Sequence, residues 1–178
     1  MSLGVLSLPL SSVLTGQPEV IGHSVLAGAA ASVRFDFPPV YRAVLIEAYI
    51  KKDASGGNVY IRCNNDSGVN YSYQYIHAQD VTVTGARQTG ATQWNLSVVT
   101  TLQGDSRMSL SALVVKTTAA ARGQMVGVFN YNDAAIIRAE LAGGEWNNTT
   151  DLLTRIDVST PTGNFAANTS ITLFGWRH

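Results

Sequence analysis

Five polar residues in a row, Asn64-Asn65-Asp66-Ser67-Gly68, are where this chain is best supplied with oxygen ligands. Amide and carboxylate oxygens at alternating positions are the raw material of a calcium loop. Such a loop also needs a bidentate Glu at its twelfth position. Counted from Asn64 that position is Tyr75, and counted from Asp66 it is His77. Neither supplies a carboxylate. The stretch therefore reads as a turn whose side chains bond their own main chain. No metal is expected there, and no His or Cys spacing elsewhere matches a zinc site.

The other reactive side chains are scattered. Cys63 is the single cysteine of the chain. It follows Val59 and Ile61 at alternate positions, which makes it a small buried hydrophobe rather than a nucleophile. Its setting is not the electropositive one that lowers a thiol pKa. A disulfide framework is ruled out. The histidines are His23, His77 and His178, and no serine sits in a nucleophile elbow. Glycoside hydrolysis needs two acids across a cleft. Glu47, Glu140 and Glu145 are present, but nothing in the sequence pairs them. Glu47 lies in an apolar strand and is expected to meet an arginine such as Arg62 or Arg138. No catalytic residue, no cofactor and no enzymatic activity are expected.

The tyrosines carry the strongest recognition chemistry. Tyr71, Tyr73, Tyr75 and His77 alternate along one strand, with Ser72, Gln74 and Ile76 on its other face. Tyr60 lies on the preceding strand. Tyr60, Tyr71, Tyr73 and Tyr75, with Asn64 and Asp66 nearby, are the candidate interaction residues. Three roles are open to them. Aromatic rings beside amides hold sugars. Tyrosine gives large contact area between subunits at low entropy cost. Tyrosine is also simply a good strand residue on a half-buried face.

These side chains need a hairpin to hold them: strand Val59–Cys63, the polar turn, and the return strand to His77. Similar alternation recurs along the chain. Val33, Phe35 and Phe37 end at Pro38-Pro39. Val44, Ile46, Ala48 and Ile50 mark the clearest buried strand, over 42–51. Further strands are expected at 94–98, 107–116, 124–131, 135–141, 152–159 and 170–176, the fourth ending at Gly143-Gly144 with Trp146 closing the turn. Residues 78–93 read as a short strand at Val81 and Val83, then a polar loop between Gly85 and Gly90. Turn residues separate these runs, as at Gly104-Asp105, and no segment keeps a helical period. The expectation is an all-β fold, an antiparallel sandwich of eight to ten strands with little helix. Residues 1–22 are expected to form an arm or edge strand, and residues 23–178 a single domain.

Composition narrows the function. Charged residues make up 13% of the 178, and the net charge is zero. No basic tract is present to neutralise phosphates, so neither nucleic acid nor an anionic membrane is an expected partner. The apolar N-terminus has no Lys or Arg before Arg34, so no secretory leader is expected. Pro9 and several serines break it well short of a membrane span. A surface rich in Ser, Thr and Asn but poor in charge suits close packing between subunits, because little charge must lose its water.

Three ordered motifs carry a family resemblance. They are Asn64-x-Asp66-x-Gly68-x-Asn70-Tyr71-x-Tyr73, then Gly143-Gly144-x-Trp146, then Gly163-Asn164-Phe165-Ala166-x-x-x-Ser170-x-x-Leu173-Phe174-Gly175. Together they resemble the small jelly-roll-like virion structural proteins of tailed bacteriophages. Asn65 stands where that family usually has Gly, and Phe174 where it usually has Tyr. The resemblance covers roughly Phe35 to Gly175. It assigns structural roles to Gly68, Asn70, Trp146, Phe165 and Gly175, and implies a jelly-roll winding. It further implies a virion component of the head decoration, spike, collar or tail, made in the host cytoplasm. Such a protein oligomerises, with a trimer expected first and a pentamer or hexamer ring next, and docks on other virion proteins. The alternative within the same setting is a receptor module that binds host glycan. The resemblance brings no catalytic residue with it.

Overall fold

The computed structural model describes residues 16–53, 58–96, 107–133 and 136–177. Twelve strands run through these residues: β1 (Glu19–Val25), β2 (Ser32–Asp36), β3 (Tyr41–Lys51), β4 (Tyr60–Cys63), β5 (Tyr71–Gln79), β6 (Thr82–Ala91), β7 (Trp94–Asn95), β8 (Arg107–Val115), β9 (Gly123–Asp133), β10 (Ile136–Trp146), β11 (Arg155–Ser159) and β12 (Ser170–Arg177). They form two antiparallel sheets. The larger has eight strands in the order β1-β12-β3-β8-β9-β10-β5-β6, and the smaller has four in the order β2-β11-β4-β7. The protein is a β-sandwich, as the alternating pattern predicts. The division into eight and four is lopsided, so the small sheet covers only part of the large one.

Alternation decides which residues lie between the sheets. Val44, Ile46 and Ile50 of β3, Leu110 and Val114 of β8 and Phe129 of β9 point inward from the large sheet. Val33, Phe35, Ile61, Cys63, Ile156 and Val158 meet them from the small one. Each fully buried aliphatic side chain of this kind contributes about 1.5–3 kcal/mol. Cys63 is fully buried, and that burial holds its thiol pKa well above the usual value. It is the structural thiol that its place in the pattern indicates.

Four expectations change. β4 and β5 do not pair as a hairpin, because β4 belongs to the small sheet and β5 to the large one, so the turn at 64–68 carries the chain from one sheet to the other. The polar loop expected between Gly85 and Gly90 is instead part of β6, which extends the short strand expected at Val81 and Val83 into an edge strand paired with β5 from Gln79↔Thr82 to Tyr71↔Ala91. Its polar sequence suits an edge strand whose side chains are nearly all exposed. The turn into it is made by Asp80, whose φ of 52° is one that Asp tolerates. Gly143-Gly144 does not end β10, which runs on through both glycines to Trp146 because they pair with Gln74 and Tyr73 of β5. Of the two readings open to the N-terminal segment, residues 19–25 take that of an edge strand, β1, paired with β12. Glu47 does not meet an arginine. It stands on the outer face of the large sheet, where its carboxylate accepts a 2.7 Å hydrogen bond from Ser111. The expected arm at 1–15, the strand residue Val98 and the turn at Gly104-Asp105 lie outside the described residues.

Both edges of the large sheet are irregular. β1 carries an extra residue between Val20 and Gly22. The β5–β6 register slips between Tyr71 and Tyr73, where Gly90 takes a φ of 64°.

Two buried lysines fasten loops to the sandwich. Lys52 Nζ donates to Thr160 Oγ1 at 2.6 Å and to the Thr162 carbonyl at 2.7 Å. Lys116 Nζ donates to the carbonyls of Ala119, Ala121 and Asn148 and lies 5.2 Å from the centre of the Trp146 ring. Burial pushes both amines below the usual lysine value, with nearby carboxylates opposing it. The last motif is fastened here as well. Phe165 is fully buried and bridges Ala30 and Lys52, and Asn164 donates twice to the Asp53 carboxylate. Gly175 lies beneath the Tyr41 ring, where an added Cβ would stand 2.5 Å from Cδ1.

Two outcomes follow for urea denaturation. Gly175→Ala must displace Tyr41 from its edge contact with Phe37 and should cost about 1–3 kcal/mol. Lys116→Met leaves three carbonyls without their shared donor and should cost about 1–3 kcal/mol. An unchanged midpoint in either variant contradicts the packing described.

Candidate functional site

The polar turn after β4 is closed by its own hydrogen bonds. Asn64 and Asn65 take left-handed φ values of 51° and 55°, a conformation that Asn adopts at low cost. The Asn64 side chain reaches across to the segment before β11. Its Nδ2 donates to the Leu152 carbonyl, and its Oδ1 accepts from the backbone N–H groups of Thr154 and Arg155. Asp66 Oδ1 accepts from the Gly68 N–H at 2.9 Å. Its Oδ2 accepts from Asn70 Nδ2 at 2.9 Å and from Trp146 Nε1 at 2.7 Å. Gly68 has no room for a side chain, since a Cβ would lie 2.8 Å from Asn70 Nδ2.

Donors point at both oxygens of Asp66, so the carboxylate holds the turn together. Among the described residues no three His, Cys, Asp or Glu side chains converge. Burial of Asp66 works to raise its pKa, but the hydrogen bonds from Trp146, Asn70 and Gly68, with the Arg62 charge, outweigh it and hold the carboxyl below the usual range.

Trp146 joins two of the three motifs into one unit. Its indole nitrogen bonds the turn, and its ring stacks on Tyr71 with centroids 6.4 Å apart and planes at 18°. Tyr71 in turn meets Trp94 edge-on at 5.4 Å. The Tyr71 hydroxyl sits against the backbone of Cys63, accepting from its N–H and donating to its carbonyl. Gly144 is needed because a Cβ there would lie 2.7 Å from Trp94 Nε1. These contacts are what the spacing of the motifs encodes.

The candidate tyrosines do not form one exposed face. Tyr71 is fully buried and belongs to the core, so it offers nothing to a partner. Its role is plain sheet packing. Tyr73 and Tyr75 are half-buried and packed against the core. Burial raises the Tyr73 pKa, opposed by a hydrogen bond with the Asn95 side chain; Tyr60 stands close by. Tyr75, also raised by burial, faces Glu140. Beyond Tyr75 the inner face holds a polar group. Glu140 is buried with its Oε2 3.9 Å from His77 Nδ1, and Arg138 donates to the Tyr131 hydroxyl at 2.9 Å. Past the reach of β7 a hollow of about 320 Å³ opens among His77, Gln79, Asp80, Thr82 and Thr84.

The opposite face of the large sheet is the surface that the sequence reading missed. Pairing registers align its side chains in rows across the strands. One row runs Ile76, Leu141, Val128, Ser111, Glu47, Thr172 and His23 from β5 to β1. The next runs Gln74, Gly143, Val126, Leu113, Leu45, Phe174 and Val20. Val20, Ile76, Val126, Val128 and Leu141 are each about half exposed or more. Among the described residues no strand or loop covers this face. The signal was present in the sequence. An antiparallel strand with a solvated face alternates apolar with polar residues, whereas β8 and β9 carry apolar residues on both faces.

No family model matches this chain, and no curated protein or solved structure matches it.

The Asp66–Trp146 bond should be measurable by a double-mutant cycle. Asp66→Asn and Trp146→Phe should each cost about 1–3 kcal/mol, with a coupling of at least about 0.5 kcal/mol. Additive losses contradict the bond. The carboxyl value of Asp66 is lower folded than unfolded. Its contribution is therefore fully present above about pH 4 and is lost as pH falls through the folded-state value. Acid titration of the wild type against Asp66→Asn should show the difference between them closing at low pH.

Proposed function

We propose that this chain is a non-enzymatic structural component of a tailed-bacteriophage virion, a decoration, spike, collar or tail protein that oligomerises and docks on other virion proteins. The observation that carries the reading is the patch of exposed apolar residues on the outer face of the large sheet, Ile76, Val126, Val128 and Leu141, standing among its polar side chains. An exposed apolar patch of this extent marks an interaction surface. Two further features support it. The low charge of the chain leaves little to desolvate on association. The motifs that resemble phage virion proteins are joined in space by the Asp66–Trp146 bond. The jelly-roll winding that the resemblance implies belongs to this proposal.

Purified protein mixed with particles of the phage that encodes it should co-sediment with them, and mass measurement should give a closed oligomer. A stable monomer without affinity for the particles overturns the reading.

A second reading is a module for host glycan. It draws on Tyr73 and Tyr75 at the margin of the core and on the polar hollow beyond them. A glycan array separates the two. Binding lost in Tyr75→Ala, with melting unchanged, selects the second.

A further inference from the structure

We infer that the outer face of the eight-stranded sheet is the contact surface of a twofold dimer, two copies of this chain stacked face to face about an axis that runs along the strands between β8 and β9. The inference rests on the assembly reading above and names the occupant of the face.

The face is self-complementary in shape. Its aromatic residues stand on one wing, Tyr49 of β3 with Phe174 and Trp176 of β12, beside Leu45. The other wing carries small residues, Gly143 and Ala139 of β10 with Ser72 and Ala78 of β5, interleaved with Leu141 and Ile76. The registers put Leu45, Phe174 and Gly143 in one row, Tyr49 and Ala139 in another, and Trp176 and Ser72 in a third. A twofold axis along the strands keeps each row above itself and exchanges the wings, laying β3 over β10 and β12 over β5. Leu45 then lies over Gly143, Tyr49 over Ala139, and Trp176 over Ser72. Phe174 lies over Gln74 at the rim of a hollow of about 620 Å³ floored by Gly85 and Gly143 and walled by Ile76 and Leu141. At the centre Val126 meets Leu113. Each contact occurs twice, as an isologous interface requires.

The size also fits. Eight strands about 4.8 Å apart, over about seven residues of about 3.3 Å rise, span roughly 800 Å². That is about what one partner gives to a standard interface. Sheets stacked in this way pack about 10 Å apart. Two carboxylates of the strands stand on these rows: Glu145, in the row of Trp176 and paired with Arg122, and Glu47 nearer the middle, which holds Ser111 and would lie over Leu141 of the mate. Loss of water at Glu47 weakens the dimer, so neutralising it should tighten association.

Sedimentation equilibrium tests the arrangement. The wild type should be a dimer. Val126→Glu and Leu45→Glu, whose side chains point away from the core, should weaken association about tenfold or more by burying an unpaired carboxylate, with circular dichroism unchanged. Glu47→Gln should tighten it severalfold. Val126→Cys, close to the axis, should be joined to its mate by a short bifunctional thiol crosslinker, and Val25→Cys, on edge strand β1 and far from its own copy, should not. A monomer throughout the concentration series, a dimer indifferent to Val126→Glu, or crosslinking at Val25 instead of Val126 overturns the inference. Particle binding by a monomer sinks the dimer and leaves the virion reading standing. A dimer that ignores particles does the reverse.

Discussion

The hydrogen bond from Trp146 to Asp66 joins parts of the chain that lie far apart in sequence. It seats the turn that carries the chain from β4 in the small sheet to β5 in the large one on the end of β10, and three consequences radiate from it. The turn is held in the left-handed conformation of Asn64 and Asn65, which fixes where β5 begins. The Trp146 ring is held flat against Tyr71, and Tyr71 against Trp94, which closes one end of the core. Lys116 rests near the same indole and draws in the loop after β8. A polar turn, an aromatic stack and a buried amine are thus parts of one fastening.

Much of this was legible in the sequence, for identifiable reasons. Alternation at Val59, Ile61 and Cys63 and at Val44, Ile46 and Ile50 is strong because one face of each strand must be dry. The turn at 64–68 was legible because only Asn, Asp and Gly fit such backbone cheaply. What misled was equally physical. The stretch between Gly85 and Gly90 read as loop because an edge strand with solvent around it places no demand on side-chain type. Gly143 and Gly144 read as a strand end because glycine usually marks one, whereas here the second is required by the close approach of Trp94. Tyr71 read as a candidate contact residue because phase shows which side of a strand a residue is on, not what lies over that side. Glu47 read as buried for the same reason, since its strand is apolar on both faces.

The two faces of the large sheet divide the labour of the molecule. The inner face supplies stability, and its aromatic end near Trp146 is so fully engaged that little is left for recognition. The outer face adds little to the fold of one chain, and a patch of apolar residues at Ile76, Val126, Val128 and Leu141 stands exposed among its polar ones. Substitutions there leave the core untouched, whereas substitutions among the inward tyrosines disturb it.

The irregular edges bear on how such a sheet grows. A flat edge offers unpaired N–H and C=O groups to any passing strand. Here the extra residue in β1 and the slip at Gly90 in β6 twist both borders out of register with a would-be neighbour. Both borders of the large sheet are therefore poor templates for strand addition, and what this sheet presents to its surroundings is the side-chain surface of its outer face.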